Sequence, residues 1–113
     1  MSNDTEYIYL DESAFEEEVM NCTESVIVEF GTDWCGSCRI MMPIVNDTAA
    51  AYRDRVKVIR LDIDRNKQLV ARYGIRNKPT FLLIKNGEIA GQIIGPVSRK
   101  NFENYMRALL SNE

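Results

Sequence analysis

The feature that most restricts this chain is a pair of cysteines, Cys35 and Cys38, set where a strand pattern gives way to a helix pattern. Val26-Ile27-Val28-Glu29-Phe30 is apolar nearly throughout and rich in β-branched residues, the pattern of a strand covered on both faces. Gly31-Thr32-Asp33 breaks that strand and offers Thr32 or Asp33 as the cap of the next helix. The helix is expected over residues 35–52. Met41, Ile44, Val45, Thr48, Ala49 and Tyr52 form its buried stripe, and Pro43 inside it is expected to kink it.

Around this centre the pattern alternates. Tyr7-Ile8-Tyr9-Leu10 reads as a short strand, and a helix follows with Asp11 or Ser13 as its cap and Phe15 and Val19 on one face. Residues 56–63 read as a second core strand and residues 66–73 as a short helix ended by Gly74. Thr80-Phe81-Leu82-Leu83-Ile84 and residues 89–94 are strands joined through Asn86-Gly87, a strong hairpin signal. A last helix starts at Ser98 and carries Phe102, Tyr105, Met106, Leu109 and Leu110 at helical spacing. The order β-α-β-α-β-α-β-β-α implies an α/β fold: a central mixed sheet of about five strands flanked by four helices. With 113 residues, one domain spanning residues 1–113 is expected.

Charge and composition exclude several functions. The formal charge is −3, with 14 basic and 17 acidic residues spread along the chain, so neither nucleic acid nor an anionic membrane is the expected partner. The run Glu16-Glu17-Glu18 reads as a solvated helix face, because adjacent helical residues point in different directions. Apolar runs are too short for a transmembrane helix, and the sequence opens on polar and acidic residues rather than a secretory leader, so a cytoplasmic location is expected. Histidine is absent, which removes the usual acid–base residue and the commonest metal ligand.

A C-x-x-C can bind zinc or cycle between dithiol and disulfide. A structural zinc site needs four ligands, and Cys22 alone cannot complete one within a single chain. After a strand and at the start of a helix, the motif reads as redox. At the helix N-terminus, Cys35 would have its thiolate stabilised by free N–H groups and the macrodipole. Cys38, one turn further in, would be more buried and less acidic. An exposed thiolate beside a protected thiol is the asymmetry that disulfide exchange uses.

The segment FGTDWCGSCR, residues 30–39, resembles the active-site segment of the thioredoxin family. Tyr73-Gly74-Ile75-Arg76, Lys78-Pro79-Thr80 and Lys85-Asn86-Gly87-Glu88 resemble further motifs of that family, in register over nearly the whole chain. The resemblance implies a thioredoxin fold and a protein-disulfide reductase. Cys35 would be its nucleophile and Cys38 the resolving thiol. Pro79 matches the family's cis-proline, Trp34 flanks the site, and Gly36, Ile63, Ile94 and Gly95 match its apolar docking patch. Glu29 matches a family acidic residue beneath the site. Burial would raise its pKa, so Glu29 is expected to take the proton from Cys38, directly or through a water, or else simply to pair with Arg60 on the neighbouring strand. The same resemblance implies disulfide-containing protein substrates, electrons from a thioredoxin reductase, no bound cofactor or metal, and a monomer.

Four positions depart from the family pattern. Ser37 replaces a proline between the cysteines, and its hydroxyl and N–H can both donate to a thiolate. Lys78 replaces an apolar residue before Pro79 and brings positive charge and a preference for acidic partners. Both would make the disulfide more oxidising, which keeps an oxidase- or isomerase-like variant open as the alternative. Gly31 replaces a tryptophan and is expected to thin the packing beside the site and loosen it. Glu29 is one methylene longer than the usual Asp. Cys22, the third cysteine, is expected to be a buried, inert thiol. A partner-binding module on the same fold is the rival from a different class.

Overall fold

The computed structural model describes residues 7–111. Helix α1 (Glu12–Phe15) starts from Asp11, whose Oδ1 accepts the Ala14 N–H at 2.7 Å, and widens into a π-helical stretch over Glu16–Met20. Strand β1 (Ser25–Gly31) follows, then α2 (Gly36–Ala51), β2 (Val56–Asp62), α3 (Lys67–Arg72), β3 (Thr80–Lys85), β4 (Glu88–Ile94) and α4 (Arg99–Leu110). The Asn86-Gly87 turn forms as its residues require, both with positive φ (53° and 76°), the pairing that a two-residue hairpin of the primed type uses. Helix α2 continues through Pro43, which lies on its exposed side.

Among the described residues the sheet has four strands in the order β2-β1-β3-β4. The β1–β2 pair is parallel, and both β1–β3 and β3–β4 are antiparallel. The expected first strand, Tyr7-Ile8-Tyr9-Leu10, makes only one bridge, Ile8 to Leu61 at the edge of β2. Its backbone bonds there are the Ile8 N–H to the Arg60 carbonyl and the Asp62 N–H to the Ile8 carbonyl. Beyond them the Asn66 amide takes over, accepting the Leu10 N–H at 3.0 Å and donating to the Ile8 carbonyl at 2.9 Å. A side chain therefore supplies the bonds that a continued ladder would have made, and the sheet has four strands rather than five.

All of β1 is buried, and its alternation separates two cores. Val26, Val28 and Phe30 face Phe15, Val19, Leu61, Leu69, Leu82 and Ile84. Ile27 faces the opposite way, toward Met41, Val45, Phe81, Phe102 and Met106 of α2, β3 and α4. By the period of two, Glu29 and Gly31 share the Ile27 side. This places β1 centrally and delivers its C-terminal end to the first turn of α2.

Candidate active site around the Cys35–Cys38 pair

Cys35 and Cys38 are joined as a disulfide, with Cα atoms 5.2 Å apart. Neither Thr32 nor Asp33 caps α2. Cys35 itself is the N-cap, in extended backbone (φ −87°, ψ 119°), and its Sγ accepts the Cys38 N–H at 3.1 Å. Cys35 thus supplies the cap itself: a donor that any helix start must satisfy points at its sulfur. The donor is Cys38, not Ser37, which lies half-buried in the first turn. Cys35 keeps 5% of its surface and Cys38 none. The ranking is as expected, but Cys35 is recessed rather than freely exposed.

The rim is built by the loop before β3. The Lys78–Pro79 peptide is cis, Pro79 is buried, and the Lys78 carbonyl oxygen lies 3.9 Å from Cys35 Sγ. Gly95, after β4, donates its N–H to the Pro79 carbonyl at 3.0 Å. A Cβ on Gly95 would stand 3.2 Å from Pro79 Cγ, so any larger residue there would press on the proline ring. Ile94, paired with Thr80, is 54% exposed, and Trp34 is 62% exposed. Gly36 is exposed at the start of α2, with nothing within 4 Å of where its Cβ would be. The Lys78 ammonium sits 4.0 Å from the centre of the Trp34 ring, a cation–π contact that ties the departing lysine to the rim. Ile63 is half-buried, packs against the core cluster that holds Phe30, and donates its N–H to the Gly31 carbonyl at 3.0 Å.

Beneath the cysteines lies a buried polar chain. Arg60 donates from Nε to Glu29 Oε1 at 3.1 Å, with both side chains about 1% exposed, and from its terminal NH₂ to Asn46 Oδ1 at 2.9 Å. The other oxygen, Glu29 Oε2, accepts the Tyr7 hydroxyl at 2.5 Å. Burial raises the Glu29 pKa, while the hydrogen bonds from Tyr7 and Arg60 pull back toward the charged form. Burial and the neighbouring Glu29 charge push the Tyr7 phenol far up, so it stays a donor at any working pH.

Tyr7 was missed as a site residue, and the reason corrects the reading of Gly31. That glycine does not loosen the site. A Cβ on it would stand 2.8 Å from Cys38 Sγ, 2.9 Å from Tyr7 Cε1 and 3.1 Å from the Tyr7 hydroxyl. Tyr7, 5% exposed, packs with Cys35, Cys38 and Met42 in the space left by the missing large side chain. A glycine where bulk is usual was the available signal, since a hole must be filled from elsewhere in the chain. Cys22 is half-buried against the core beside β1, away from this cluster.

Among the described residues no group of three or more Cys, Asp and Glu side chains could hold a metal, and no helix is long and apolar enough to cross a membrane. The family model described as Thioredoxin matches residues 6–108. A thioredoxin of Porphyra purpurea is 35% identical over 100 residues, covering 88% of this chain and 94% of that protein. Thioredoxin 1 of Synechococcus elongatus is 34% identical over 93 residues, covering 82% of this chain and 87% of that protein.

Proposed function

Because this chain belongs to the thioredoxin family and is a thiol–disulfide oxidoreductase, we propose that it reduces protein disulfides, with Cys35 as nucleophile and Cys38 as resolving thiol. The observation that carries this reading is the position of Cys35 as its own helix cap. Once the pair is reduced, the Cys38 N–H and the start of a 16-residue helix lie against Cys35 Sγ and favour its thiolate. The thiolate attacks a substrate disulfide, forms a mixed disulfide and releases the first substrate thiol. Cys38 then attacks Cys35 Sγ, the Cys35–Cys38 bond forms, and the second substrate sulfur leaves.

Trp34, Gly36, Ser37, Lys78, Pro79, Ile94 and Gly95 form the docking rim in this reading. The substrate is an extended polypeptide segment laid across Pro79 beside exposed Trp34 and Ile94. Lys78, poised over Trp34, favours acidic residues in that segment. Glu29 serves as the proton acceptor for Cys38, oriented by Arg60. Family membership supports disulfide-bearing proteins as substrates, a thioredoxin reductase as the electron source, and a monomer that works in the cytoplasm without a bound cofactor.

Ser37 and the Lys78 charge favour a second reading, a more oxidising protein that donates or reshuffles disulfides. The reduction potential separates the two. The protein is equilibrated in graded dithiol–disulfide buffers, free thiols are trapped, and the trapped thiols are counted by mass. A midpoint well below the cytosolic glutathione poise of roughly −220 to −260 mV supports the reductase. A midpoint at or above that poise replaces it with the oxidising variant.

A further inference from the structure

The polar chain beneath the disulfide ends on a group that the cysteine chemistry has not yet used. Tyr7 reaches in from the segment beside β2, donates its hydroxyl to Glu29 Oε2, and packs its ring against Cys35 and Cys38. Its hydroxyl and Cys38 Sγ flank one small space, the point where a Gly31 Cβ would stand, at 3.1 and 2.8 Å. Only a glycine leaves that space open. We propose that Tyr7 is the proton relay of the resolving step: its phenol accepts the proton of Cys38 and passes its own to Glu29.

In the mixed disulfide, Cys35 Sγ is bonded to the substrate sulfur and Cys38 carries S–H. The Cys38 proton moves to the Tyr7 oxygen as the Tyr7 proton moves to Glu29 Oε2, leaving a Cys38 thiolate and a neutral Glu29. The thiolate attacks Cys35 Sγ, the Cys35–Cys38 bond forms, and the bond to the substrate breaks. The substrate sulfur departs with the electron pair and takes a proton from water, while Glu29 returns its proton to solvent. The phenol ends as it began, so it need never be present as a phenolate. The high phenol pKa is therefore no obstacle, because the two proton movements are concerted. A hydrogen-bonded phenol fixed by packing does here what a water would otherwise have to do, with no entropy lost in placing it.

The charged and titratable groups around this relay are Glu29 from β1, Arg60 from β2, Cys35 and Cys38 at the start of α2, and Asp33 from the loop between β1 and α2, while the Lys78 ammonium lies over Trp34. Arg60 holds the second oxygen of Glu29, so the free acceptor oxygen faces Tyr7.

The inference rests on the reading of Cys38 as resolving thiol and Glu29 as its base, and the test keeps the two apart. Reduced protein is mixed with the aromatic disulfide dithionitrobenzoate in a stopped-flow instrument, and the second thionitrobenzoate released reports the resolving step. Wild type, Tyr7→Phe and Glu29→Gln are compared from about pH 5.5 to about pH 8.5, with thermal unfolding of each measured alongside. Tyr7→Phe keeps the ring and its packing. It should slow the second release about tenfold or more at neutral pH, in the range by which general bases act. Its rate should climb with hydroxide, without the levelling that the wild type shows once Glu29 is ionised. A role confined to the hydrogen bond on Glu29 would instead raise the Glu29 pKa and move the levelling to higher pH without abolishing it. If Glu29→Gln slows the step and Tyr7→Phe does not, the relay is wrong while the base stands. If neither variant changes rate or profile, both the base and the relay are wrong.

Discussion

The two faces of β1 bury the same strand to the same depth and spend that burial differently. Val26, Val28 and Phe30 pack in an apolar cluster with Phe15, Val19, Leu61, Leu82 and Ile84. On the other face Ser25 and Ile27 are buried as well, but the next two positions on it are Glu29 and Gly31, a carboxylate and an absent side chain. A buried charge is costly unless it is fully bonded, and here each carboxylate oxygen has its own donor. Both faces carry an apolar core, while the Ile27 face gives up apolar burial as it nears the cysteines, and Tyr7 fills the space beside Gly31.

That contrast breaks most visibly on the apolar face. Phe30→Ala should cost about 3–5 kcal/mol of stability, read from urea unfolding, while the folded fraction keeps its disulfide exchange rate. Loss of exchange in the folded fraction would show that the two faces are not separable. On the opposite face Gly31→Ala places a methyl within 2.8 Å of Cys38 Sγ and 2.9 Å of Tyr7 Cε1. It should cost about 1–3 kcal/mol through overpacking and slow the resolving step as well, because Tyr7 is the neighbour that must move.

The carboxylate provides a sharper distinction through pH. Burial raises the folded Glu29 pKa above its unfolded value. Between the two values the folded protein keeps a proton that the unfolded chain has lost. The stability belonging to the protonated carboxyl is complete below the unfolded pKa, in the usual carboxylate range, and is lost as pH rises through the folded one. Measured against Glu29→Gln by unfolding at a series of pH values, the wild type should lose stability with rising pH across that window. A difference that stays flat or grows would place Glu29 in a site that favours its charge. Far from either face, the exposed Arg99–Asp47 pair, 2.8 Å apart, marks the lower limit. Arg99→Ala should change stability by no more than about 0.5 kcal/mol.

Much of this was legible in the sequence wherever local pattern and tertiary environment agree. The β-branched run of β1, the Asn86-Gly87 turn and the α4 stripe of Phe102, Met106, Leu109 and Leu110 all form as their spacing requires. So does the placement of Cys35 and Cys38 at a helix start. What was not legible depends on contacts far apart in the chain. The Tyr-Ile-Tyr-Leu segment has strand composition, yet Asn66, 56 residues after Leu10, takes its hydrogen bonds. Thr32 and Asp33 are good caps by composition, but the cysteine sulfur holds the position. Gly31 looked like lost packing because the side chain that fills its space lies 24 positions earlier, at Tyr7.

The central claim, a recessed nucleophile at Cys35 resolved by Cys38, is tested most directly by trapping. Reduced Cys38→Ser protein is mixed with an oxidised, disulfide-bonded test protein, quenched with acid and mapped by mass spectrometry, with Cys35→Ser run in parallel. The account predicts a stable mixed disulfide through Cys35 in the first variant and none in the second. A mixed disulfide through Cys38 or Cys22, or equal trapping by both variants, would contradict it.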